Sequence, residues 1–188
     1  MNTNEPILFL RSFLQNPKHV GSVMPSSRFL ANKMVKQASW PETKAVAELG
    51  SGTGAITRYI HQHAQDSTKV LLFEMNDTMR NNLRTAYPDF ACYPDASRLV
   101  EAMKKEGVQQ LDYVFSGLPF FNFESEVRHT LVDQIHKALK PGGVFIAFQY
   151  SLQMKKTLSA HFVIEKIKVV PVNLPPAFVY VCRKKETI

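Results

Sequence analysis

The stretch VAELGSGTGAITRYI, residues 46–60, constrains the fold of this chain more than any other part of the sequence. An apolar run typical of a buried strand leads into three alternate glycines, Gly50, Gly52 and Gly54, and a helix-like run follows. Glycine has no side chain, so this part of the main chain can approach a ligand closely. Amide groups at the start of the helix, from Thr53 onward, can face polar ligand groups. The stretch therefore predicts a strand, a ligand-binding loop and a helix.

The alternation of short apolar runs with helical patterns continues along the chain. This pattern is typical of a parallel sheet that is covered by helices on both faces, so we predict the α/β class. The predicted strands span 44–49, 69–74, 90–95, 111–117 and 144–150. The predicted helices span 54–63, 76–86, 97–105 and 124–139, the last ending at the turn Pro141-Gly142-Gly143.

The two ends of the chain depart from this alternation. Residues 162–172 and 177–183 are predicted strands, and the connection NLPP (173–176) is so short that it favours an antiparallel pair. Residues 5–15 are a predicted amphipathic helix. A second predicted helix contains Phe29, Leu30, Met34 and Val35.

The length of 188 residues suits a single domain, which we expect to span residues 1–188. Its N-terminal helical segment would cover 1–40 and its catalytic core 41–188. The chain has two cysteines, Cys92 and Cys182, and no CxxC or Cys/His ligand spacing, so we expect no metal site.

Acidic side chains lie where the predicted strands end, which is the edge at which open α/β sheets bind ligands. Glu74 ends the second strand, 20 positions after Gly54, where an acid can accept both hydroxyls of a ribose. Asp95 ends the third strand, where a carboxylate can meet an adenine amine. Each acid alone is equally well explained as a helix cap. Together with the glycine loop they indicate a nucleoside site.

The glycine loop alone leaves the nucleoside open. GSGTGA also fits the G-x-G-x-x-G/A pattern of dinucleotide-binding proteins, through Gly50, Gly52 and Ala55. Two features weigh against a dehydrogenase. Glu48 lies two positions before the first glycine, where it could receive a ligand ammonium, and the antiparallel terminal pair is atypical of a dinucleotide fold.

The motif ELGSGTG, together with Glu74, Asp95-Ala96 and the Pro-Gly-Gly turn, resembles the class I S-adenosylmethionine-dependent methyltransferases. The resemblance implies a Rossmann-like, seven-stranded, mostly parallel sheet with an antiparallel last strand and helices on both faces. It also implies that S-adenosylmethionine is the cofactor. The cofactor-binding residues that we expect are Glu48, Gly50, Ser51, Gly52, Thr53, Gly54, Glu74, Met75, Asp95, Ala96, Ser116, Gly117 and Ser26.

Three further segments resemble the bacterial phospholipid N-methyltransferases. They are FLRSFLQNPKHVGSVMPSSRFLA, FSGLPFFNF and NLPPAFVY. This narrower resemblance implies stepwise methylation of phosphatidylethanolamine towards phosphatidylcholine.

The segment SGLPFF follows the fourth predicted strand, where class I enzymes present the acceptor. Gly117 permits close approach, and Leu118 and Pro119 are expected to contact the substrate. The catalytic candidates are Phe120 and Phe121, as an apolar or cation-facing wall, and Tyr150, as a hydroxyl near the amine. Ordinary core packing explains the phenylalanines equally well, and a half-buried strand end explains Tyr150.

The charge of the chain favours a polyanionic partner. Lys and Arg number 23 against 16 for Asp and Glu, which gives a net charge of +7 and suits RNA, DNA or an anionic membrane surface. The helix predicted at 5–15 could lie at a membrane interface or cover the protein's own core. Arg28 and Lys33 are candidates for binding a lipid phosphate. No run is long enough to span a bilayer, so we expect a cytoplasmic protein held peripherally at the inner face of the membrane.

Two other functions remain open at this point. RNA adenine N6-methyltransferases have an acceptor motif of the form N-L-P-[YF], but here Gly117 replaces the residue whose side-chain carbonyl would accept from the adenine amine. Nucleic acid is therefore a less favoured partner. A cofactor-binding protein without transferase activity is the second alternative. The sequence does not indicate the oligomeric state.

Overall fold

The computed structural model of the chain describes residues 28–173 and 175–185, and a seven-stranded sheet forms its centre. The strands are β1 (Ala45–Leu49), β2 (Lys69–Phe73), β3 (Ala91–Tyr93), β4 (Leu111–Ser116), β5 (Leu139–Gln149), β6 (Phe162–Val170) and β7 (Ala177–Lys184). Their order across the sheet is β3-β2-β1-β4-β5-β7-β6. β7 pairs antiparallel with both β5 and β6, whereas the other pairs are parallel. The predicted fold class is confirmed.

In the part of the chain that the structure describes, six helices cover the two faces of the sheet. They are α1 (Arg28–Val35), α2 (Thr57–His63), α3 (Asp77–Ala86), α4 (Leu99–Lys105), α5 (Ser125–Ala138) and α6 (Lys155–His161). Apolar residues of α1, α2 and α3 pack in one core on one face, and those of α4, α5 and α6 pack in a second core on the other. The central parallel strands β1, β2 and β4 are therefore buried on both sides along most of their length.

The glycine loop delays the start of α2. The sequence predicted a helix from Gly54, but the structure has turns up to Ile56 and the helix begins at Thr57. Gly54 has a φ of +83°, which belongs to the left-handed region and cannot occur in a right-handed helix. The first residues that we assigned to the helix therefore belong to the loop.

The Pro141-Gly142-Gly143 segment is a second correction. We expected it to end the helix before it and to precede a strand at 144, but α5 ends at Ala138 and β5 begins at Leu139. The register between β4 and β5 shifts at this point, from Leu111 opposite Leu139 to Tyr113 opposite Val144. The segment is thus an irregularity within the first half of β5. Helix α6 was not predicted.

Part of the sequence-based interpretation lies outside the described residues. This part comprises the helix predicted at 5–15 and the candidate cofactor residue Ser26. Among residues 28–173 and 175–185, no helix is both long and apolar enough to span a bilayer.

Strands β1 to β6 all end at one edge of the sheet, which we call the carboxyl edge. Leu49 lies opposite both Phe73 and Ser116, and Phe73 lies opposite Tyr93, so four neighbouring strands end in register. The segments that follow these strands carry the candidate site residues.

Candidate active site

The glycine loop is anchored on the end of β2. The amide groups of Gly50 and Ser51 both donate to the carbonyl of Phe73, at 2.8 and 3.0 Å, and the amide of Gly54 donates to the carbonyl of Ser51 at 2.9 Å. Gly50, Gly52 and Gly54 all have positive φ angles, of 75°, 54° and 83°. Residues with a Cβ atom are strained at these positive φ angles, which explains why glycine occurs at all three alternate positions.

Gly50 and Gly117 allow the glycine loop after β1 to contact the segment that follows β4. A Cβ atom on Gly50 would lie 2.8 Å from Cδ2 of Leu118, and one on Gly117 would lie 3.0 Å from the carbonyl oxygen of Gly50. Gly52 is different, because a Cβ there would have no atom of the protein within 4 Å. The loop is therefore closed towards β4 and open above Gly52, where a ligand has room.

Glu74 holds the glycine loop and still has acceptor positions to spare. Its Oε2 accepts from the amide of Gly52 at 2.7 Å, and its Oε1 accepts from the amide of Asn76 at 2.8 Å. Each carboxylate oxygen has two lone pairs, so each can accept one further hydrogen bond. The side chain lies beside the open space above Gly52, where the sequence led us to expect a ribose.

Asp95 has the capping role that was the alternative explanation. Its Oδ1 accepts from both the amide and the hydroxyl of Ser97, at 2.8 and 2.7 Å, and caps the short 3₁₀ turn Ala96–Arg98. The residue is half-buried two positions after the end of β3. Capping fixes the carboxyl group at the carboxyl edge, so the cap does not exclude contact with a ligand.

Glu48 is fully buried in β1, beneath the glycine loop. The Thr57 hydroxyl donates to its Oε2 at 2.6 Å, whereas Oε1 has no hydrogen-bond partner among the described residues. The pKa of Glu48 is raised to about 8, mainly by burial and also by the negative charge of Glu74, while hydrogen bonds from Thr57 and Ser51 oppose the shift. The buried hydroxyl of Ser51 lies close enough to Glu48 to lower the pKa of that carboxyl, although neither Oγ of Ser51 nor Oε1 of Glu48 makes a hydrogen bond of good geometry in the described part of the chain. Two buried polar atoms beside the glycine loop that lack a well-formed hydrogen bond fit a site that binds a polar ligand.

The remaining candidates for cofactor binding have more ordinary surroundings. Ser116 is fully buried, and its hydroxyl accepts from the amide of Leu118 at 3.1 Å. Met75 is half-buried against the core, Ala96 is buried, and Thr53 is exposed. Within the described ranges, no cluster of three His, Cys, Asp or Glu side chains could hold a metal ion.

The acceptor segment divides the two phenylalanines between core and surface. Phe120 is 1% exposed and packs edge-to-face against Phe123 and Phe145, with ring centroids 6.2 and 5.9 Å away. Leu118 is also buried, against Gly50. Phe120 and Leu118 are therefore core residues, and core packing, the alternative explanation for Phe120, accounts for its position; contact of either residue with the substrate stays a prediction. Phe121 is 49% exposed and remains available.

The surroundings of Pro119 and Tyr150 leave both accessible. Pro119 is half-buried directly before the 3₁₀ turn Phe120–Asn122. Tyr150 follows β5 at the carboxyl edge and is 38% exposed, with its ring edge-on to Phe148.

Two residues that the sequence did not single out hold the acceptor segment in place. The side-chain amide of Gln149 donates to the carbonyl of Leu118 at 3.0 Å. The guanidinium of Arg128, on α5, donates to the carbonyls of Phe120 and Phe123 at 3.2 and 2.8 Å. The only signal for Gln149 was a polar residue at the end of the apolar run VFIAFQ. Nothing in the sequence indicated Arg128.

The two candidate phosphate-binding residues lie on α1, on the β6 side of the molecule. Arg28 is exposed and stacks over the ring of Phe29, with its guanidinium carbon 5.2 Å from the centroid. Lys33 donates a long hydrogen bond of 3.5 Å to the carbonyl of Val169. Neither contact joins these residues to the glycine loop.

Comparison with known proteins gives a consistent result. The family model described as a methyltransferase domain matches residues 46–143. The ornithine lipid N-methyltransferase of Singulisphaera acidiphila is 30% identical over 181 residues, which cover 94% of each chain.

Solved structures show the same fold. The 1,6-didemethyltoxoflavin-N1-methyltransferase of Burkholderia thailandensis, with S-adenosylhomocysteine bound, has a TM-score of 0.75 at 16% identity and covers 99% of this chain and 92% of that chain. The N-methyltransferase NodS of Bradyrhizobium japonicum, also with S-adenosylhomocysteine bound, has a TM-score of 0.71 at 12% identity. The match covers 96% of this chain and 99% of that chain. The chain belongs to the class I S-adenosylmethionine-dependent methyltransferases, and S-adenosylmethionine is its cofactor.

Proposed function

We propose that this enzyme methylates the amine nitrogen of a lipid head group at a membrane surface. The observation that carries the proposal is the similarity to a bacterial lipid N-methyltransferase along 94% of both chains. Similarity of this extent takes in most of the chain outside residues 46–143, the part that the general methyltransferase model matches. The proposal places the reaction at the cytoplasmic face of the membrane.

The residues around the glycine loop fit the cofactor. The open space above Gly52 admits it, the spare acceptor positions of Glu74 suit its ribose hydroxyls, and Asp95 suits its adenine amine. The buried oxygens of Glu48 and Ser51, which lack a well-formed hydrogen bond, suit its amino acid portion, which carries an ammonium and a carboxylate. When bound, S-adenosylmethionine supplies the methyl group.

The contribution of the chain to catalysis is mainly alignment. The close contact of Gly50 with the segment after β4 brings the acceptor segment against the cofactor loop, and Gln149 and Arg128 fix that segment. Good positioning of this kind can lower a barrier by roughly 7–11 kcal/mol. The acceptor nitrogen must be neutral to react, and the hydroxyl of Tyr150 is the group we propose to orient it.

Exposed aromatic rings suit a product that keeps a positive charge. Phe121 and Tyr150 follow neighbouring strands at the carboxyl edge, β4 and β5, and both rings are accessible. A cation over such a ring gains about 0.5–1 kcal/mol at an exposed site. We propose that these two rings face the head-group nitrogen.

The identity of the lipid can be tested directly. Phosphatidylethanolamine, which our sequence interpretation favours, and ornithine lipid, the substrate named for the relative, both offer an amine. Purified protein would be incubated with S-adenosylmethionine and vesicles that contain one lipid or the other, and the lipids would be analysed by mass spectrometry. We expect added methyl groups on the head group of at least one of them. Unmodified lipid in both, with tight cofactor binding, would contradict the proposal.

The structure gives a reason to disfavour an adenine base as the acceptor. The Asn or Asp of the adenine motif would occupy position 117, where even a Cβ atom would lie 3.0 Å from the carbonyl oxygen of Gly50. That contact is shorter than ordinary van der Waals distance, so the loop would have to shift. An Asn or Asp at position 117 would therefore require the main chain at Gly50 to move by a few tenths of an ångström.

A further inference from the structure

Exposed apolar side chains concentrate at the carboxyl edge. Among the described residues, Phe29 is 53% exposed, Leu152 49% and Val172 65%, and the exposed Phe121 and Tyr150 follow the ends of β4 and β5 at the same edge. Val163, at the amino end of β6, is an exposed valine at the opposite end of the sheet. Apolar residues grouped in this way indicate an interaction surface.

The sheet brings Leu152 and Val172 to the same side of the molecule. Gln149 lies opposite Phe178, and Val170 lies opposite Ala177, so β5 and β6 both end next to the start of β7. The two strand ends are two strand spacings apart, which is about 10 Å. β7 lies between these two strands, and it is directly preceded by Pro175 and Pro176, which are both exposed.

The formal positive charge of the chain lies on the same segments. Residues 28–37, 150–161 and 166–178 contain three, two and two Lys or Arg residues, seven in all, and no Asp or Glu. The whole chain has 23 basic and 16 acidic residues, so 16 of each kind are left elsewhere and the remainder is neutral. The segments that surround the ends of β5 and β6 therefore carry a local excess of seven positive charges, equal to the net charge of the chain.

A groove between α1 and the end of β6 combines both properties. It is open, has a volume of about 430 Å³ and contains no acidic side chain in its lining. Phe29 and Val172 line it together with the lysines at positions 33, 36 and 168. The first turn of α6 adds Lys155 and Lys156, both exposed, beside Leu152.

We propose that this face docks on the surface of an anionic membrane. We define the docking rim as Phe29, Leu152, Val172, Lys36 and Lys168. Apolar side chains that enter the interface, flanked by lysines that meet anionic head groups, are the two attachments that a peripheral protein needs. The inference rests on the proposed lipid-methylating function, and it identifies the face of the enzyme that meets the lipid.

The chemistry of the rim favours a membrane over the other partners. A second copy of the chain would bring two sets of lysines together across a symmetric contact, which is repulsive. RNA would satisfy the lysines but would leave exposed Leu and Val side chains without a role, because phosphate contacts supply most of such binding. Docking by this rim points the carboxyl edge at the bilayer, so that a head group can reach Tyr150 while its lipid chains stay in the membrane.

The test uses the full chain with four variants. Two alter the rim, Leu152→Ser/Val172→Ser and Lys36→Gln/Lys168→Gln. Two are matched controls at distant sites, Val163→Ser for the apolar pair and Lys104→Gln for the lysines. Binding is measured by sedimentation with vesicles that contain phosphatidylglycerol, and separately with ribosomal RNA. Calorimetry with S-adenosylmethionine reports the integrity of the fold.

We expect each rim variant to bind vesicles at least tenfold more weakly than the unmodified chain, with the controls and the cofactor affinity unchanged. Vesicle binding that survives in both rim variants would overturn the proposal. A loss of RNA binding without a loss of vesicle binding would overturn it too, and would assign the rim to RNA. Equal weakening by Val163→Ser would show that the effect is not specific to this face.

Methyl transfer to a short-chain lipid dispersed as monomers separates docking from chemistry. We expect the rim variants to methylate the monomers at the normal rate and vesicles at least tenfold more slowly. If no lipid is methylated but the rim still governs vesicle binding, the proposed function fails and the docking surface stands. If vesicles are methylated normally by the rim variants, the docking surface fails and the proposed function stands.

Discussion

Gly52 and Gly107 have similar backbone conformations, but only Gly52 lies in the glycine loop, so Gly107 is a matched control for a substitution at Gly52. Their φ angles are 54° and 68°, and a Cβ atom on either would meet no protein atom within 4 Å. Alanine at either position should cost about 1–2 kcal/mol of stability through backbone strain. Only Gly52→Ala places a methyl group in the open space of the loop, so we expect it to weaken S-adenosylmethionine binding at least tenfold by calorimetry. Equal affinity in the two variants would mean that the cofactor lies elsewhere.

Glu74 offers a second test of the cofactor site. Glu74→Gln keeps the size of the side chain but removes its charge and replaces one acceptor oxygen by a donor. Charge-assisted hydrogen bonds contribute about 1.5–3 kcal/mol, so affinity for S-adenosylmethionine should fall roughly 10- to 100-fold. Glu101→Gln is the control, because Glu101 lies in an exposed ion pair on α4 with Arg98 and Lys105. Cofactor affinity that is insensitive to both changes would remove Glu74 from the site.

The burial of Glu48 predicts a pH dependence of stability. Its pKa rises from 4.5 to about 8 on folding, so between these pH values the folded chain binds more protons than the unfolded chain. The contribution of this group to the free energy of unfolding therefore falls as the pH rises through that window, by at most about 1.4 kcal/mol per pH unit.

Glu48→Gln should remove that slope. Urea unfolding at pH 5.5 and pH 8 would measure it, and we expect the variant to gain stability relative to the unmodified chain at the higher pH. Parallel pH profiles for the two proteins would show that Glu48 is ionised in the folded state.

At the residue scale, the sequence was enough to predict the positions of side chains that directly follow strands. It was not enough to predict which neighbouring side chains are buried and which are exposed, because packing decides that. Glu74 and Asp95 were predictable because apolar runs mark where strands end. Phe120 and Phe121 are adjacent and identical in sequence, and the 3₁₀ turn alone decides that one is buried and the other exposed. Arg128 acts on main-chain carbonyls, which leave no trace in the sequence.

At the scale of elements, α5 is the support of the acceptor segment. Arg128→Met keeps most of the apolar stem but removes both hydrogen bonds to the segment. We expect kcat to fall at least tenfold while the affinity for S-adenosylmethionine stays the same, because the glycine loop is untouched. Lys137→Met, which breaks an exposed ion pair with Asp133 on the same helix, should leave both quantities unchanged. A fall in cofactor affinity without a fall in kcat would contradict a positioning role for Arg128.

The boundaries of elements were harder to predict than their order. Periodicity gave the strands and helices between residues 44 and 139 in the right order, but two glycine-containing segments moved their ends. The left-handed φ of Gly54 delays α2, and Gly142, with a φ of +71°, lies within β5 instead of before it. Helix α6 has only seven residues and no side-chain cap, so the sequence carried no capping signal from which it could be predicted.

At the scale of the whole molecule, the topology followed from one connection and one resemblance. The short link 173–176 predicted an antiparallel pair, and the family resemblance implied the antiparallel last strand that the structure places between β5 and β6. The distribution of charge could not be read in the same way. The basic segments around residues 33, 155 and 168 are far apart in the chain, and only the sheet order brings them to one side.

The central claim is that the acceptor is a lipid amine, and one measurement tests it most directly. Purified full-length protein would receive methyl-labelled S-adenosylmethionine together with amine-containing vesicles and ribosomal RNA in one reaction. Lipid and RNA would then be separated and counted, with Gly52→Ala as the control for cofactor-dependent transfer. We predict label in the lipid, greatly reduced in the control and absent from RNA. Label in RNA alone would contradict the account.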